Sequence, residues 1–580
     1  MDKGEEDRLS ALPDDILRRI LHRVNSKEAA STSVLSRRWA SLWRSSGAVD
    51  LAARIPYEIL SSHHQEAFSH AAAAALAAAE VPVTRLALSV DTDGGNDTVL
   101  RRFIHGGRNE MYSTSTDEGV FRDVLSHPAA RHVEDLRVAL VDTFDAVRFS
   151  GMEIYGSIGI CCFASLPSRE TLRVLDLTRC DLAPAAFPRL ATLHLRLCSM
   201  QLTDLHALLD AAPVLTDVHL ESVLFTYTIQ QHVEVEPPEL AMRLPSVTTL
   251  VLALCGVLGQ GTPHGQFDTS CAIAIDAPRL RSFVYKGLLH PFQLRSASPE
   301  LARADLHFLK DDSASYSKER TRMLFWQSVQ SFSGAKALTL KVDHELKEIA
   351  AIGKERRAQL LCPLPNVERL ELEGWHRPTS TTAAVAIANL LHCCHALRDL
   401  TLKLSTVPPD SEKGSNYAWE SLRKDLLDYS RSIDRFRRRS SRISMEDSNN
   451  GVRYHDVQDI SGMSGESFAC LQRSLRRVSM EFRLDHSSST CIGLRLVKFF
   501  AENAMALEEM RIDSGNWRLY EHLNLSGERW IARENPAAEV QCEFSTVPSV
   551  PFDSTTDLGR STIGFTVLPL QRRKRMRCMS

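Results

Sequence analysis

The chain has 580 residues, 43% of them hydrophobic and 24% charged, with a formal net charge of −3. This is the composition of a globular protein with room for two or three domains or one elongated repeat array, and its near-neutral balance excludes a surface built throughout for nucleic acid or anionic membrane. Thirteen cysteines without fixed spacing, behind an acidic N-terminus with no apolar secretory segment, point to a reducing compartment, the nucleus and/or cytoplasm.

The first element is "LPDDILRRILHRV", Leu12 to Val24, with apolar residues at Leu12, Ile16, Leu17, Ile20, Leu21 and Val24 and charge on the opposite side. That spacing predicts an amphipathic helix. Asn25 and Ser26 break the pattern, and Ser26 can cap a second short helix from Lys27. A third segment places Val34, Leu35, Trp39, Leu42 and Trp43 on one helical face. A helical unit of about forty residues is too small to hide all of this, so a neighbouring domain or another chain is expected to cover the excess.

These residues resemble the F-box of plant F-box proteins: Leu12-Pro13-Asp14-Asp15-Ile16-Leu17, Ile20-Leu21, Ser33-Val34-Leu35-Ser36-Arg37-Arg38-Trp39 and Leu42-Trp43. The family often has Leu-Pro where this chain has Val24-Asn25. The resemblance implies docking onto a Skp-type adaptor and, through it, a cullin. It makes Leu12, Pro13, Ile16, Leu17, Ile20, Leu35, Trp39 and Trp43 candidates for adaptor contact or for the module's own core. Sequence does not divide these two roles. The F-box is assigned to residues 8–50.

"AFSHAAAAALAAAE", Ala67 to Glu80, is alanine-rich and broken by Ser69 and His70, a soluble helix rather than a membrane span. From about residue 83 one phrase recurs, an apolar residue at positions one, four and six. It runs through Leu172-Leu175-Leu177, Leu190-Leu193-Leu195, Leu215-Val218-Leu220, Val247-Leu250-Leu252, Leu280-Phe283-Tyr285, Val367-Leu370-Leu372 and Leu397-Leu400-Leu402. Weaker copies stand at Val83, Val133, Leu301, Leu475 and Leu507. Three copies extend to Cys180, Cys198 and Cys255, the line of leucine-rich repeats. The alternating part predicts a strand, and the cysteine slot predicts a small side chain turned inward. "LTDLHALLDAAP" (Leu202 to Pro213) and "TTAAVAIANLLHCC" (Thr381 to Cys394) have helical spacing between strands.

A strand-plus-helix repeat cannot bury its apolar face alone, so neighbours stack. The expected fold class is α/β: an N-terminal helical F-box followed by an irregular leucine-rich-repeat solenoid with a parallel sheet on its concave face. A doubly wound α/β domain also alternates strands and helices, but its strands have no reason to repeat one register. The repeats are assigned to residues 80–404. A disordered or loop-rich insertion, rich in Ser, Asp, Arg and Asn, is assigned to 405–465.

"LRLVKFFAENAMALEEMRI", Leu494 to Ile512, is similar to the helix-then-strand segment of plant FBD-type F-box proteins, and "FTVLPLQRRKR" suits that family's termini. FBD-like repeats are assigned to 466–570.

Motifs for chemistry fail on context. "GESFA" (Gly465 to Ala469) lacks the last glycine of a nucleophile elbow and a preceding buried strand, "IHGG" (Ile104 to Gly107) stands without such an elbow, and "LGQGTPHG" (Leu258 to Gly265) has His264 where a dinucleotide fingerprint needs glycine and reads as a loop. Four adjacent residues in "HCCH", His392 to His395, cannot all aim at one tetrahedral metal. No cofactor or metal is expected. The basic runs Arg435 to Arg442 and Gln571 to Arg577 suit solvated surface, nuclear import or phosphate contacts, and the sequons at Asn96 and Asn524 carry little weight in a reducing compartment.

The resemblances imply a non-catalytic receptor subunit of a cullin-type ubiquitin ligase, holding an unknown target protein. Candidates on the concave face are Arg173, Asp176, Thr192, His194, Asp217, His219, Thr248, Arg369 and Glu371. The alternative is a leucine-rich-repeat binding scaffold without ligase function, its N-terminal helices a cap. An enzyme on an α/β fold finds no motif.

Overall fold

The protein is described by a computed structural model. It describes residues 12–55, 62–92, 97–105, 120–142, 160–163, 166, 168–183, 185–228, 239–260, 271–310, 317–377, 382–405, 459–463, 465–482, 492–513, 539–541 and 562–568. The chain divides into two compact units, residues 1–284 with 293–300, and residues 285–292 with 301–580.

The first unit opens with three short helices, α1 (Asp14–Leu21), α2 (Ser26–Ser31) and α3 (Arg37–Leu42), with a 3-10 turn Thr32–Val34 before α3. Pro13 starts α1, having no N–H to leave unpaired, while Asp14 and Asp15 stand at its positive end and Arg18 and Arg19 at its negative end. The helix is shorter than the sequence pattern. Beyond Leu21 the backbone closes in turns, Arg23 N donating to Ile20 O at 3.0 Å and Val24 N to Leu21 O at 3.2 Å.

The cap of α2 is a correction. Asn25, not Ser26, caps it, with the Asn25 Oδ1 accepting from Lys27 N at 2.9 Å. Ser26 Oγ instead accepts from the Asp50 N–H at 2.8 Å. Val34 and Leu35 are also corrected: they lie outside α3 and both are exposed, so the face read from Val34 to Trp43 is not one helix face.

Strands follow the recurring phrase. In the first unit Ala48–Ile55, Arg85–Thr92, Asp135–Asp142, Val174–Thr178, Thr192–Arg196, Asp217–Glu221 and Thr249–Ala253 pair as parallel neighbours in that order. Their registers match phrase to phrase: Leu86, Leu136, Leu175, Leu193, Val218 and Leu250 form one buried row, and Leu88, Val138, Leu177, Leu195, Leu220 and Leu252 the next.

Each of four successive strands ends in a left-handed residue that is not glycine: Arg179, Leu197, Ser222 and Leu254, with φ between 53° and 59°. Such a conformation costs about 1 kcal/mol. The backbone recovers it in part: Arg179 N donates to Arg196 O at 2.8 Å, Leu197 N to Glu221 O at 2.9 Å and Ser222 N to Ala253 O at 2.7 Å. The next residue is the cysteine slot. The Cys198 thiol donates to Leu177 O at 3.6 Å and Arg196 O at 3.2 Å, and the Cys255 thiol to Leu220 O at 3.3 Å. Burial pushes both thiols up to about 12, so they remain protonated donors.

Beyond these turns the chain enters a second row of short parallel strands, Ser199–Gln201, Leu224–Thr228 and Gly256–Gln260, beside a separate pair Cys161–Phe163 and Cys180–Leu182. Leu258 and Gly259 therefore sit in a strand, not in the loop expected there. The expected helix at Leu202 runs Leu202–Asp210, ending before Pro213, and the alanine-rich helix is Ser62–Ala78.

In the second unit Arg303–Phe308, Ala337–Glu345, Arg369–Trp375, Asp399–Ser405, Arg477–Phe482 and Glu509–Asp513 are again parallel and in phase. The sheet is not parallel to its end. Thr562–Leu568, in the expected FBD terminus, pairs antiparallel with Glu509–Asp513 and with Glu539–Gln541. The helix-then-strand segment is Ile492–Asn503 followed by Glu509–Asp513, with Leu496, Phe499 and Phe500 buried, while Ala504 and Leu507 lie past the helix end.

Of the expected insertion, residues 406–458 lie outside the described residues, as do both basic runs and the asparagines of both sequons. At its close Ile460 and Met463 are buried, and Glu466 accepts from Arg357 Nη1 at 2.6 Å and His392 Nε2 at 2.7 Å.

Two outcomes test this packing. Burial raises the Asp181 carboxyl to about 6, partly offset by the bond from Ser199 N to its Oδ1 at 2.7 Å. A carboxyl raised on folding contributes stability below its unfolded pKa, and that contribution is lost as pH rises through about 6. Asp181→Asn keeps the acceptor and removes the charge. It is expected to raise stability at pH 7 by on the order of 2 kcal/mol and to flatten the dependence between pH 4 and 6, read by urea unfolding at several pH values. The second is Gly493→Ala. A Cβ there would stand 2.2 Å from Phe482 Cδ2, so thermal unfolding should show a loss of about 1–3 kcal/mol.

Candidate functional site

Two surfaces bring candidate residues together, both assembled from side chains the fold does not bury.

The first is on the N-terminal module. Its core is Leu17, Leu21, Ala29, Trp39 and Leu42, with Leu12, Val24 and Trp43 packed against it and partly buried. This divides the eight candidates. Leu17 is 0% and Trp39 6% exposed, so both belong to the core. Leu12, Ile16 and Trp43 are half-buried, and Pro13 is exposed. Ile20 and Leu35 remain 42% and 65% exposed, and Val34, absent from the sequence-based candidates, is 88% exposed. Exposed Ile and Leu side chains each forgo about 1.5–3 kcal/mol of burial. The signal that would have found Val34 is its place between two short helices, where a residue of an apolar run need not face the core.

The module is held shut by charge. Arg38 bridges Asp14 at 2.6 Å and also donates to the Leu12 carbonyl, pinning the start of α1 to α3. His22 Nδ1 lies 2.9 Å from Ser46 O.

The second surface is the outward row of the strands. In the first unit it carries Asp50, Ala87, Arg137, Asp176, His194, His219 and Val251 at matching register. The His194 and His219 rings meet at a tilt of 42° with centroids 4.3 Å apart, and His194 Nδ1 is 3.7 Å from Asp176 Oδ2. Burial alone would raise Asp176, but the bond to His194 and the charges of His194, Arg137 and Arg196 hold its carboxyl below the usual value. Burial and the neighbouring His194 push His219 down.

Thr192 and Asp217 stand one step along the same strands. Thr248 and Arg173 do not. The residue facing Asp217 is Thr249, while Thr248 precedes its strand and bonds to Thr216 O. Arg173 likewise precedes its strand and pairs with Glu134 at 3.2 Å. Counting from the first leucine of the phrase gives the position before the pleat, and only the residues flanking the fourth position face outward.

In the second unit Arg369 and Glu371 are outward as expected, in a ladder of opposite charges. Arg369 lies 3.4 Å from Asp399, which Arg477 also holds at 2.7 Å, and Glu371 pairs with Lys403 at 2.6 Å, raising the lysine. Lys341 pairs with Glu373 at 2.5 Å. Arg137, Lys403 and Glu373 were missed, although each stands between or beside leucines of a recognised phrase.

The fragments set aside as chemistry have ordinary roles. Ser467 is exposed and accepts from Gln472 Nε2 at 2.8 Å. Cys393 and Cys394 are buried, and His392 stacks on Phe468 with centroids 4.6 Å apart. Among the described residues no group of three or more His, Cys, Asp or Glu is placed to hold a metal ion, and no helix is long and apolar enough to cross a membrane.

The division of the module predicts two unlike responses. Leu17→Ala should cost about 2–5 kcal/mol by opening a cavity. Leu35→Ala should stay within about 0.5 kcal/mol. Urea unfolding of the two variants against the parent chain checks both.

Comparison with known proteins gives this geometry its context. Residues 9–48 match the F-box domain family. A putative F-box/FBD/LRR-repeat protein of Arabidopsis thaliana is 27% identical over 280 residues, 47% of this chain and 51% of that protein. A putative FBD-associated F-box protein of the same plant is 51% identical over 43 residues, 7% of this chain and 9% of the relative. The MEIOTIC F-BOX protein MOF of Oryza sativa subsp. japonica is 62% identical over 38 residues, 7% of this chain and 8% of the relative. The chain thus spans about half the length of the first of these relatives and under a tenth of the other two.

Proposed function

From an N-terminal F-box domain in a chain whose relatives are plant F-box/FBD/LRR-repeat proteins, we propose a substrate-recognition subunit of a Skp-cullin-F-box type ubiquitin ligase. The exposed Ile20, Val34, Leu35 and Pro13 take the Skp-type adaptor, and the adaptor leads to a cullin. The strands of the first unit act as leucine-rich repeats, and their outward row through Asp176, His194 and His219 holds a target protein. The subunit itself makes and breaks no bond. It raises the effective concentration of the target's lysines at the transfer machinery, a gain by proximity alone. Its place of work is the nucleus or cytoplasm.

The observation that carries this reading is the exposure of Val34 and Leu35 beside a module whose own core is complete. A scaffold cap would bury those residues on the repeats or replace them with polar ones. The exposed apolar spots instead fit the centre of a protein interface, where aliphatic anchors are covered by a partner.

Co-purification with a Skp-type adaptor tests the proposal. The parent chain should form a stoichiometric complex. Leu35→Asp and Ile20→Asp should lower capture at least about tenfold, the loss of about 1.4 kcal/mol or more, with unchanged melting of the free chain. A soluble parent chain that ignores the adaptor would return the N-terminal helices to the role of a cap and favour the scaffold without ligase function.

A further inference from the structure

We propose that Arg85 is a positioning residue that locks the docking helices onto the sheet at one fixed angle. The inference rests on the ligase reading only for its purpose. The clamp itself stands on bonds within the first unit.

Arg85 is the first residue of its strand, and its side chain is only 15% exposed. Its Nη1 donates to the His22 carbonyl at 2.6 Å. His22 caps the C-terminal end of α1, where carbonyls lack helical partners and the helix dipole is negative. Its Nη2 lies 3.5 Å from Asp50 Oδ2 and its Nε 3.8 Å from Asp135 Oδ2. One guanidinium therefore bonds the first docking helix and the edge strand Ala48–Ile55 and lies within ion-pair distance of the strand Asp135–Asp142. A lysine ammonium can satisfy the carbonyl or a carboxylate, but lacks the fork.

Five residues, 43–47, lead from α3 into the edge strand, the last of them Gly47 at φ +70°. The Gly47 carbonyl accepts from Thr84 N at 2.8 Å and Arg85 N at 3.2 Å. Asp50 N donates to Ser26 Oγ at 2.8 Å, and Glu80 N to Arg44 O at 3.0 Å. Arg85 is the charged side chain among these contacts, half-buried, and it is not part of the module's own core. Its removal should leave the docking face formed and its angle less narrowly set. In a receptor that works by proximity, a looser angle spreads the target over a larger volume and dilutes its lysines at the transfer site.

The test uses the full chain with two dyes introduced through non-natural residues at exposed Arg19 and Arg189, read by single-molecule energy transfer, free and with a Skp-type adaptor. The parent chain should give one narrow distance distribution. Arg85→Met should broaden it about twofold, with Arg85→Lys between them, while adaptor capture is retained. If Arg85 merely stabilised the fold, both variants would melt at lower temperature without ordering the widths this way. An unchanged width in Arg85→Met overturns the proposal, as does loss of adaptor capture with unchanged melting, which would place Arg85 in docking itself. Should Arg85→Met fail to fold, Asp50→Asn weakens the same clamp at constant size. It should broaden the distribution, and an unchanged width there is equally fatal. Failure of the parent chain to take the adaptor would sink the ligase reading, yet the widths of the free chain would still decide the clamp.

Discussion

Everything in the body of this protein depends on register. A strand of alternating leucines has one face to bury, and a slip of one residue against its neighbour would turn every leucine to water. In the first unit the rows Leu86 to Leu250 and Leu88 to Leu252 hold register across six strands without a break. Because the inward rows are fixed, so are the outward ones. Asp176, His194 and His219 stand side by side for no reason of their own. The leucines beside them have nowhere else to go.

The turn that closes each strand enforces the same constraint. Arg179, Leu197, Ser222 and Leu254 adopt a conformation that glycine would take freely. They tolerate it because each of the first three hands its N–H to the carbonyl ending the next strand, so the strained residue also measures the distance to its neighbour. A cysteine after it suits the site for its size and because a protonated thiol can reach a carbonyl two residues back or one strand away. Val223 fills the same slot after Ser222, which shows that packing volume is the requirement and the weak thiol bond an addition.

How much of this was legible follows from what each signal measures. Periodicity located twelve strands, from Arg85–Thr92 to Glu509–Asp513, because the leucines that make the pattern also make the core; it missed Ala48–Ile55, Ala337–Glu345 and the short strands of the second row. It placed Leu202–Asp210 and Ile492–Asn503 for the same reason. It failed where one residue decides the matter. Ser26 and Asn25 are both good caps, and only the bond from Asp50 N, from a strand more than twenty residues on, shows why the serine is engaged elsewhere. Thr248 and Thr249 are chemically identical, and the pleat alone separates them. Val34 and Leu35 follow the apolar period but fall in a 3-10 turn and the residue after it, where the period has no face to point to. The antiparallel direction of Thr562–Leu568 had no signature, since direction leaves no mark on composition.

The candidate site was legible as a set of residues and not as a set of roles, and burial is what separates the two. Leu17 and Leu35 are the same residue type in the same motif. One has no exposed surface and the other is 65% exposed. A folding argument explains the first completely: removing it opens a cavity. It cannot explain the second, since an exposed leucine adds nothing to folding and a polar residue would serve solubility better. The same test applied to charge singles out Arg85. Surface pairs such as Arg196 with Glu221 can form or break at little consequence. A guanidinium held on a helix-end carbonyl between two carboxylates, with 15% of its side chain in water, is costly to leave unpaired. Residues whose placement folding does not require, and residues whose bonds reach across elements that could otherwise move, are the ones on which the proposed roles rest.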